Sequence, residues 1–327
     1  MIFTSRRGHG SPMVLYHAVS SYQLLEVMLH RMAFHPGERA VLVLPDFIVE
    51  KYPQYRDLVK RRFFEEVYLF PYLRIPHREE ERILEDVSRS YRQVVSHVIT
   101  DFSHIYVAGA HFYFSLYLIQ NGVPFVFFED AAGMLSRPEV LDGALSVKFP
   151  IHAAIARKYG LFDGSNPWIS RVICLKEAQA KDVSGGRYQN FSVEDALQQL
   201  SPQKRKRLIR FFLKRRIRAE GDAVLLTQHF ANLGLMSQEG QRRLYRAMRE
   251  EIPPDVRLLI KKHPDDTLDY GGLFPKAQVI KPVFPAELLP YVFETKPEVL
   301  YTFDSTGCEN LKKHFIIRKI KREEYGE

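Results

Sequence analysis

Short apolar runs alternate with longer stretches of helical pattern along this sequence. Ala40–Leu44 and Val123–Phe128 are almost wholly apolar, which is typical of strands buried on both faces of a sheet. Glu79–Val98 instead has the apolar spacing of an amphipathic helix. Alternation of this kind predicts parallel sheets with crossover helices, so we expect an α/β protein.

The alternation occurs twice along the 327 residues, a length that suits two domains with a core each. It weakens over 133–190, where Gly, Pro and Ser recur, and it resumes at Ala223. We therefore predict an N-terminal Rossmann-like domain over 1–180, a linker over 181–220 and a C-terminal Rossmann-like domain over 221–327.

The net charge of +8 comes from one segment. Residues 204–218 carry nine basic side chains and no acidic one, which leaves 38 basic against 39 acidic residues elsewhere. Nucleic acid is not an expected partner, because nucleic-acid-binding proteins usually spread their basic residues over a face. Two interpretations remain: a basic amphipathic helix peripheral to an anionic membrane, or a helix whose apolar side is core and whose charges are solvated.

Other classes of protein are not favoured by the motifs. No GxGxxG follows a predicted strand and no P-loop pattern occurs, so dehydrogenase and P-loop ATPase functions are not expected.

Cys174 and Cys308 are far apart, which argues against a cysteine zinc site and suits a reducing cytoplasm. No apolar run approaches the length of a membrane span.

Polar residues follow the predicted strands, at the edge where open parallel sheets bind ligands. The clusters at the strand ends are Glu129-Asp130, Thr227-Gln228-His229, Lys262-His263-Pro264 and Asp304-Ser305-Thr306-Gly307, and Glu287 begins a short predicted helix. His111 and His229 are near strand ends and could line the site, although each also has a structural explanation.

The chemistry of these residues suits transfer from a nucleotide. The hydroxyls of Ser305 and Thr306 beside a glycine, together with a histidine, are donors for a phosphate, whereas a carboxylate such as Glu287 suits a ribose diol. Asp130 could take the proton of an attacking hydroxyl. Each residue also has an ordinary structural explanation, as a turn residue or a helix cap.

The order of the clusters resembles the bacterial sialyltransferases of glycosyltransferase family 52 and the related polysialyltransferase and CMP-Kdo transferase groups. Those enzymes carry an acidic-acidic-Gly motif, a His-Pro motif and a late Ser-Ser/Thr motif. The counterparts here are Glu129-Asp130 with Gly133, His263-Pro264 and Ser305-Thr306, and Pro285–Leu289 is similar to the family segment whose glutamate holds the ribose. The resemblance implies the GT-B fold, with two Rossmann-like domains whose parallel sheets face each other across a cleft.

The resemblance also implies an inverting transfer of an acidic, sialic acid-like sugar from a CMP-linked donor to a glycan. Asp130 would be the general base, with Glu129 as the alternative because Gly133 lies two residues later than in the family motif. His263, Ser305 and Thr306 would hold the donor phosphate and Glu287 the ribose. Thr227, Gln228, Pro264 and Gly307 would complete the nucleotide site.

No metal and no other cofactor is expected, since the CMP-sugar is a co-substrate. The expected partners are the donor and a glycan acceptor; a lipid-linked acceptor would agree with membrane contact through 204–218 at the cytoplasmic face. Two alternatives stay open. The chain could be another GT-B transferase, using a different nucleotide sugar or CDP-glycerol, or a non-catalytic protein that binds acidic polymers through its basic segment.

Overall fold

A computed structural model describes residues 2–4, 12–218, 220–303 and 305–320, and of 2–4 it describes the backbone. The chain divides into two compact units, Met1–Gln199 and Leu200–Glu327. Each unit is built on a parallel sheet with helical crossovers, which confirms the predicted α/β class with two Rossmann-like domains. The division lies within the segment that the sequence predicts to be a linker.

The first unit contains an eight-stranded sheet in the order β1-β4-β3-β2-β5-β6-β7-β8. The strands are β1 (Ile2–Thr4), β2 (Met13–His17), β3 (Arg39–Pro45), β4 (Glu66–Phe70), β5 (Phe102–Ala108), β6 (Phe125–Phe128), β7 (Ile169–Cys174) and β8 (Tyr188–Asn190). All pairings are parallel except that of β1 with β4 at the edge. The chain builds outward from β2 in one direction and then from β5 in the other, so strand order reverses between these two strands.

Helices cover the sheet and are held by caps and apolar stripes. They are α1 (Ser21–Phe34), α2 (Ile48–Lys51), α3 (Glu80–Val94), α4 (Phe114–Gln120), α5 (Pro138–Lys148), α6 (Pro150–Lys158) and α7 (Val193–Gln199). The side chain of Ser20 caps α1 by accepting the backbone N–H of Gln23 at 3.2 Å. On α3, Ile83, Val87 and Tyr91 form the buried stripe that packs into the core.

The second unit contains a five-stranded, fully parallel sheet in the order β11-β10-β9-β12-β13. The strands are β9 (Ala223–Leu226), β10 (Leu258–Lys261), β11 (Gln278–Val279), β12 (Val299–Thr302) and β13 (Ile316–Lys319). The helices are α8 (Pro202–Phe212), α9 (Phe230–Leu233), α10 (Gln238–Glu251), α11 (Tyr270–Leu273) and α12 (Leu289–Val292).

The register of this sheet aligns three strand ends. Leu226 pairs with both Lys261 and Thr302, so the residues that follow these three strands emerge side by side. Strand order reverses here too, between β9 and β12. Two 3-10 turns, Ala286–Leu288 and Thr306–Leu311, lie beyond this edge.

The structure differs from the sequence prediction in three regions besides small shifts of element ends. The first strand was predicted at Met13, but Ile2–Thr4 forms β1 at the edge of the first sheet. The loosely patterned stretch 133–190 contains α5, α6, β7 and β8. Ser170 and Arg171 are exposed and interrupt the apolar run of β7, so the sequence pattern did not predict this strand. The basic end of the chain contains β13, for which the sequence predicted no strand and which pairs with β12. As an edge strand it needs no apolar run.

The basic segment 204–218 is helical only as far as Phe212, and Ile217 forms a β-bridge with Phe293. Its apolar side chains Leu208, Phe211, Phe212 and Leu213 are buried in the protein, while most of its basic side chains are exposed. The apolar side is therefore core, as the second interpretation of this segment expects. Among the described residues, no helix combines the length and the apolar character that crossing a bilayer requires.

Candidate functional site

A half-buried carboxylate lies at the carboxyl edge of the first sheet, after β6. Asp130 follows β6, and its side chain is 28% exposed. The Nε2 of Gln23, in the first turn of α1, donates to Asp130 Oδ1 at 2.9 Å and to the Asp130 carbonyl at 3.3 Å. His111, after β5, places Nδ1 3.6 Å from the same Oδ1. The first turn of α1 and the loops after β5 and β6 thus converge on this carboxylate near the reversal in strand order.

The surroundings of Asp130 make its carboxylate unusually basic. Burial raises the pKa of Asp130 to about 6, and the hydrogen bond from Gln23 opposes the rise. Burial also lowers the pKa of His111 to about 4, so this ring is neutral at pH 7 and supplies no compensating charge. A carboxylate with a pKa just below neutrality is ionised at pH 7 and can still accept a proton effectively.

The backbone around Gln23 fixes the orientation of its amide. Gln23 Oε1 accepts the backbone N–H of Val19 at 3.0 Å, which turns Nε2 toward Asp130. Gly109 passes close by with φ of +68°, and a Cβ there would lie 2.5 Å from Val19 Cγ2 and 3.0 Å from Gln23 Oε1. Glycine at this position therefore lets the end of β5 approach the start of α1.

Glu129 has a different environment from its neighbour. Its carboxylate is buried and accepts the backbone N–H of Leu175 at 2.7 Å, that of Leu135 at 3.2 Å and Nε2 of Gln179 at 2.6 Å. Burial raises its pKa to about 7, against the lowering effect of these hydrogen bonds. Glu129 joins the loops after β6 and β7, which is a structural function.

Gly133 belongs to this same turn. Its φ is +84°, and a Cβ would lie 3.0 Å from the carbonyl oxygen of Ala178. A glycine is therefore needed where the acidic motif folds against the loop that carries Gln179.

In the second unit, a buried hydroxyl links two of the predicted clusters. Thr227 Oγ1 accepts the backbone N–H of His263 at 3.2 Å and donates to Asp266 Oδ2 at 2.6 Å. Gln241 Nε2 donates to the other oxygen of Asp266 at 2.9 Å and to the Gln228 carbonyl at 3.1 Å. Thr227 and Gln228 thus shape the loop, and Pro264 is half-buried within it.

His263 stacks on a second histidine that follows β9. The ring of His229 lies 3.8 Å from that of His263, at an interplanar angle of 11°. His263 Nδ1 accepts the backbone N–H of Asp265 at 3.1 Å, which assigns the proton of the neutral ring to Nε2. In this tautomer Nε2 of His263 carries an N–H, the kind of donor that a phosphate binds.

The late Ser-Thr-Gly cluster meets the Glu287 turn. Ser305 Oγ accepts the Gly307 backbone N–H at 3.3 Å and caps the 3-10 turn Thr306–Leu311, while its own proton can be donated elsewhere. A Cβ on Gly307 would lie 3.6 Å from Glu287 Oε1, so the two turns are in contact. Thr306 is half-buried, and Asp304 lies outside the described residues.

A buried lysine beside Glu287 was not predicted from the sequence. Lys261, the last residue of β10, places Nζ 4.7 Å from the ring centre of Phe284 and donates to the Lys262 carbonyl at 3.2 Å. Burial lowers the pKa of Lys261 to about 8 and raises that of Glu287 to about 7, and each charge opposes the other's shift. The sequence feature that could have indicated a buried lysine is its position at the end of the otherwise apolar strand Leu258–Lys261.

Two groups of side chains among the described residues have metal-ligand spacing. In the group His35, Glu38 and His104, both ring nitrogens of His35 are already bonded, Nδ1 to Glu38 and Nε2 to the Tyr106 hydroxyl. In the second group, His229, His263 and Asp265 place ligand atoms within 4.8 Å of one another. The absence of a catalytic metal stays a prediction.

The structure thus assembles two sets of the predicted residues. Glu129 and Asp130 lie at the carboxyl edge of the first sheet. The carboxyl edge of the second sheet carries Thr227, Gln228, His263, Pro264, Glu287, Ser305, Thr306 and Gly307. Gln23 and Lys261 are neighbours that sequence reasoning did not assign to the site. His111 and His229, which it placed near strand ends, lie beside Asp130 and His263.

Comparison with known proteins gives similarity in structure only. No protein-family model matches the chain, and no curated protein matches it in sequence. UDP-GlcNAc 2-epimerase from Neisseria meningitidis, bound to UDP-GlcNAc, matches with a TM-score of 0.52 at 14% identity, over 91% of this chain and 79% of that chain. Arabidopsis thaliana UGT89C1, complexed with UDP-L-rhamnose, matches with a TM-score of 0.54 at 11% identity, over 97% and 81%.

The spinosyn forosaminyltransferase SpnP matches with a TM-score of 0.50 at 11% identity, over 96% of this chain and 80% of that chain. Identities this low show the fold alone. The two parallel-sheet units of this chain therefore have the GT-B architecture, in agreement with the fold class predicted from the sequence.

Proposed function

We propose that this protein is a glycosyltransferase that uses a nucleotide-activated sugar, with Asp130 as the general base. The observation that carries the proposal is the Asp130 carboxylate, half-buried at the carboxyl edge of a GT-B sheet and held there by Gln23. Its pKa of about 6 suits proton abstraction near neutral pH. Glu129 is the weaker candidate, because its carboxylate is buried and already accepts three hydrogen bonds.

The proposed step is a direct displacement at the anomeric carbon. The acceptor oxygen forms the new bond as Asp130 takes its proton, and the electron pair of the breaking C–O bond goes to the donor phosphate. The Nε2–H of His263 and the hydroxyls of Ser305 and Thr306 would stabilise the charge that develops on that phosphate. Glu287 and the backbone at Gly307, Thr227, Gln228 and Pro264 would bind the rest of the nucleotide.

For the donor we propose a CMP-linked acidic sugar, supported by the order of the acidic, His-Pro and Ser-Thr motifs. The single displacement would invert the anomeric centre, and no metal takes part in it. A UDP-linked sugar is the second candidate. Structural neighbours bound to UDP-GlcNAc and UDP-L-rhamnose favour it.

For the acceptor we propose a glycan at the cytoplasmic face of a membrane. The exposed basic side chains within 204–218 support contact with an anionic surface by charge alone, since the apolar residues of this segment are core. Flotation with vesicles containing phosphatidylglycerol tests this contact. Binding should fall steeply with salt and with reversal of charge at Arg215 and Arg216.

Thermal shift with CMP, CDP, UDP, GDP and ADP tests the donor class, because a ligand that binds the folded state stabilises it. A preference for CMP supports the first donor, and a preference for UDP selects the second. His263→Ala should remove the shift while Asp130→Asn retains it. No stabilisation by any nucleotide would contradict the proposed function.

A further inference from the structure

A cavity of about 450 Å³ lies in the first unit, away from Asp130. Its lining includes His30, Phe34, Tyr106, Arg171, Tyr188 and Gln189. Gln23, which contacts Asp130, and Phe34, which lines the cavity, are at opposite ends of α1, about 16 Å apart along the helix axis. The volume is within the range of sites for small molecules.

One wall of the cavity is aromatic and accessible. Phe34, the last residue of α1, is 50% exposed, and its ring packs at 4.6 Å on the buried ring of His30. Tyr188 on the edge strand β8 is half-buried. Rings with one face supported by the protein and the other accessible are suited to stack on the apolar face of a sugar ring.

A buried histidine ring, that of His30, is part of the cavity lining. His30 is 1% exposed, and its Nδ1 bonds the hydroxyl of Tyr16 at 3.0 Å. Its Nε2 makes no hydrogen bond with any described residue. Burial lowers the pKa of His30 to about 3, so the ring is neutral and suits a hydroxyl better than an anion.

Arg171 supplies a positive charge to the cavity lining. Arg171 on β7 is exposed and donates to Gln189 Oε1 at 3.3 Å, and within the described part of the chain it forms no salt bridge. His35, which also lines the cavity, bonds the Glu38 carboxylate at 2.7 Å. The Arg171 guanidinium is therefore available for an anionic ligand group, with the fork geometry that carboxylates prefer.

We propose that this cavity is a binding site for one acidic sugar residue of a glycan chain. The sugar ring stacks on Phe34, its carboxylate pairs with Arg171, and one of its hydroxyls bonds Nε2 of His30. The site holds a glycan at a distance from the reacting end, and binding there requires no turnover. It does not depend on the donor assigned above.

Saturation-transfer NMR and calorimetry with 3′-sialyllactose test the site, with lactose as the matched neutral probe. Sialyllactose should bind with a millimolar Kd, and lactose at least tenfold more weakly. Arg171→Gln should weaken sialyllactose binding at least fivefold, and Phe34→Ala should reduce the saturation transfer to the ring protons.

Two controls locate the site. Arg82→Gln removes an exposed arginine on α3, outside the cavity, and should leave binding unchanged. Asp130→Asn should also leave it unchanged, because the cavity is at the other end of α1. Equal binding of lactose, full binding by Arg171→Gln, loss of binding in Asp130→Asn, or no binding by the unaltered protein would each overturn the proposal.

Discussion

The amide of Gln23 donates to the carboxylate of Asp130 at 2.9 Å and links the first turn of α1 to the loop after β6. The same amide accepts the backbone N–H of Val19, so its orientation is fixed. Gln23 therefore positions Asp130 and favours its ionised form, against the effect of burial.

Gln23→Leu should shift the acid limb of the pH–activity profile to higher pH. Loss of the hydrogen bond raises the pKa of Asp130 above about 6, by about half a unit to one unit for a bond worth about 1 kcal/mol. Because the base must be ionised, kcat/KM should fall most near pH 6 and recover by pH 8. Gln198→Leu on α7 is the matched control, and an unshifted profile in Gln23→Leu would contradict the positioning function.

Asp130→Asn should stabilise the fold at high pH. A carboxyl whose pKa is raised in the folded state stabilises that state fully below its unfolded pKa of about 3.8, and this stability is lost as pH rises through about 6. The gain of the variant over the unaltered protein should therefore be larger at pH 8 than at pH 5. Allowing for solvent screening, we expect a difference of about 1 kcal/mol in the free energy of unfolding, measured with urea.

Glu129→Ala should have the opposite effect on stability. It removes the acceptor of two backbone N–H groups and one amide in a buried loop. Such unpaired groups cost about 2–4 kcal/mol of unfolding free energy. Urea denaturation of Glu129→Ala and Asp130→Ala compares the two acidic residues directly, and equal stabilities would show that Glu129 has no structural function.

Chelation tests the expectation that no metal is needed. Activity after dialysis against EDTA should equal that of the untreated protein, and His229→Gln should lower turnover without changing the response to EDTA. If His229, His263 and Asp265 hold a required cation, EDTA abolishes activity and Zn²⁺ or Mn²⁺ restores it.

Sequence reasoning located the strands and their ends, because strands buried in a parallel sheet leave apolar runs that stop at polar residues. It missed β1, β7, β8 and β13, where exposed positions such as Arg171 or short edge pairing interrupt that signal. The pairs Gln23–Asp130 and His229–His263 were also missed. Their members are 107 and 34 positions apart, and only the order of strands in each sheet brings them together.

The turnover of Asp130→Asn, measured beside its affinity for the donor nucleotide, shows whether Asp130 is the general base. We predict that kcat falls at least about 100-fold while the nucleotide Kd changes less than twofold, because the carboxylate takes the proton in the transfer step and does not bind the donor. Turnover within threefold of the unaltered protein would contradict the assignment of Asp130 as the base.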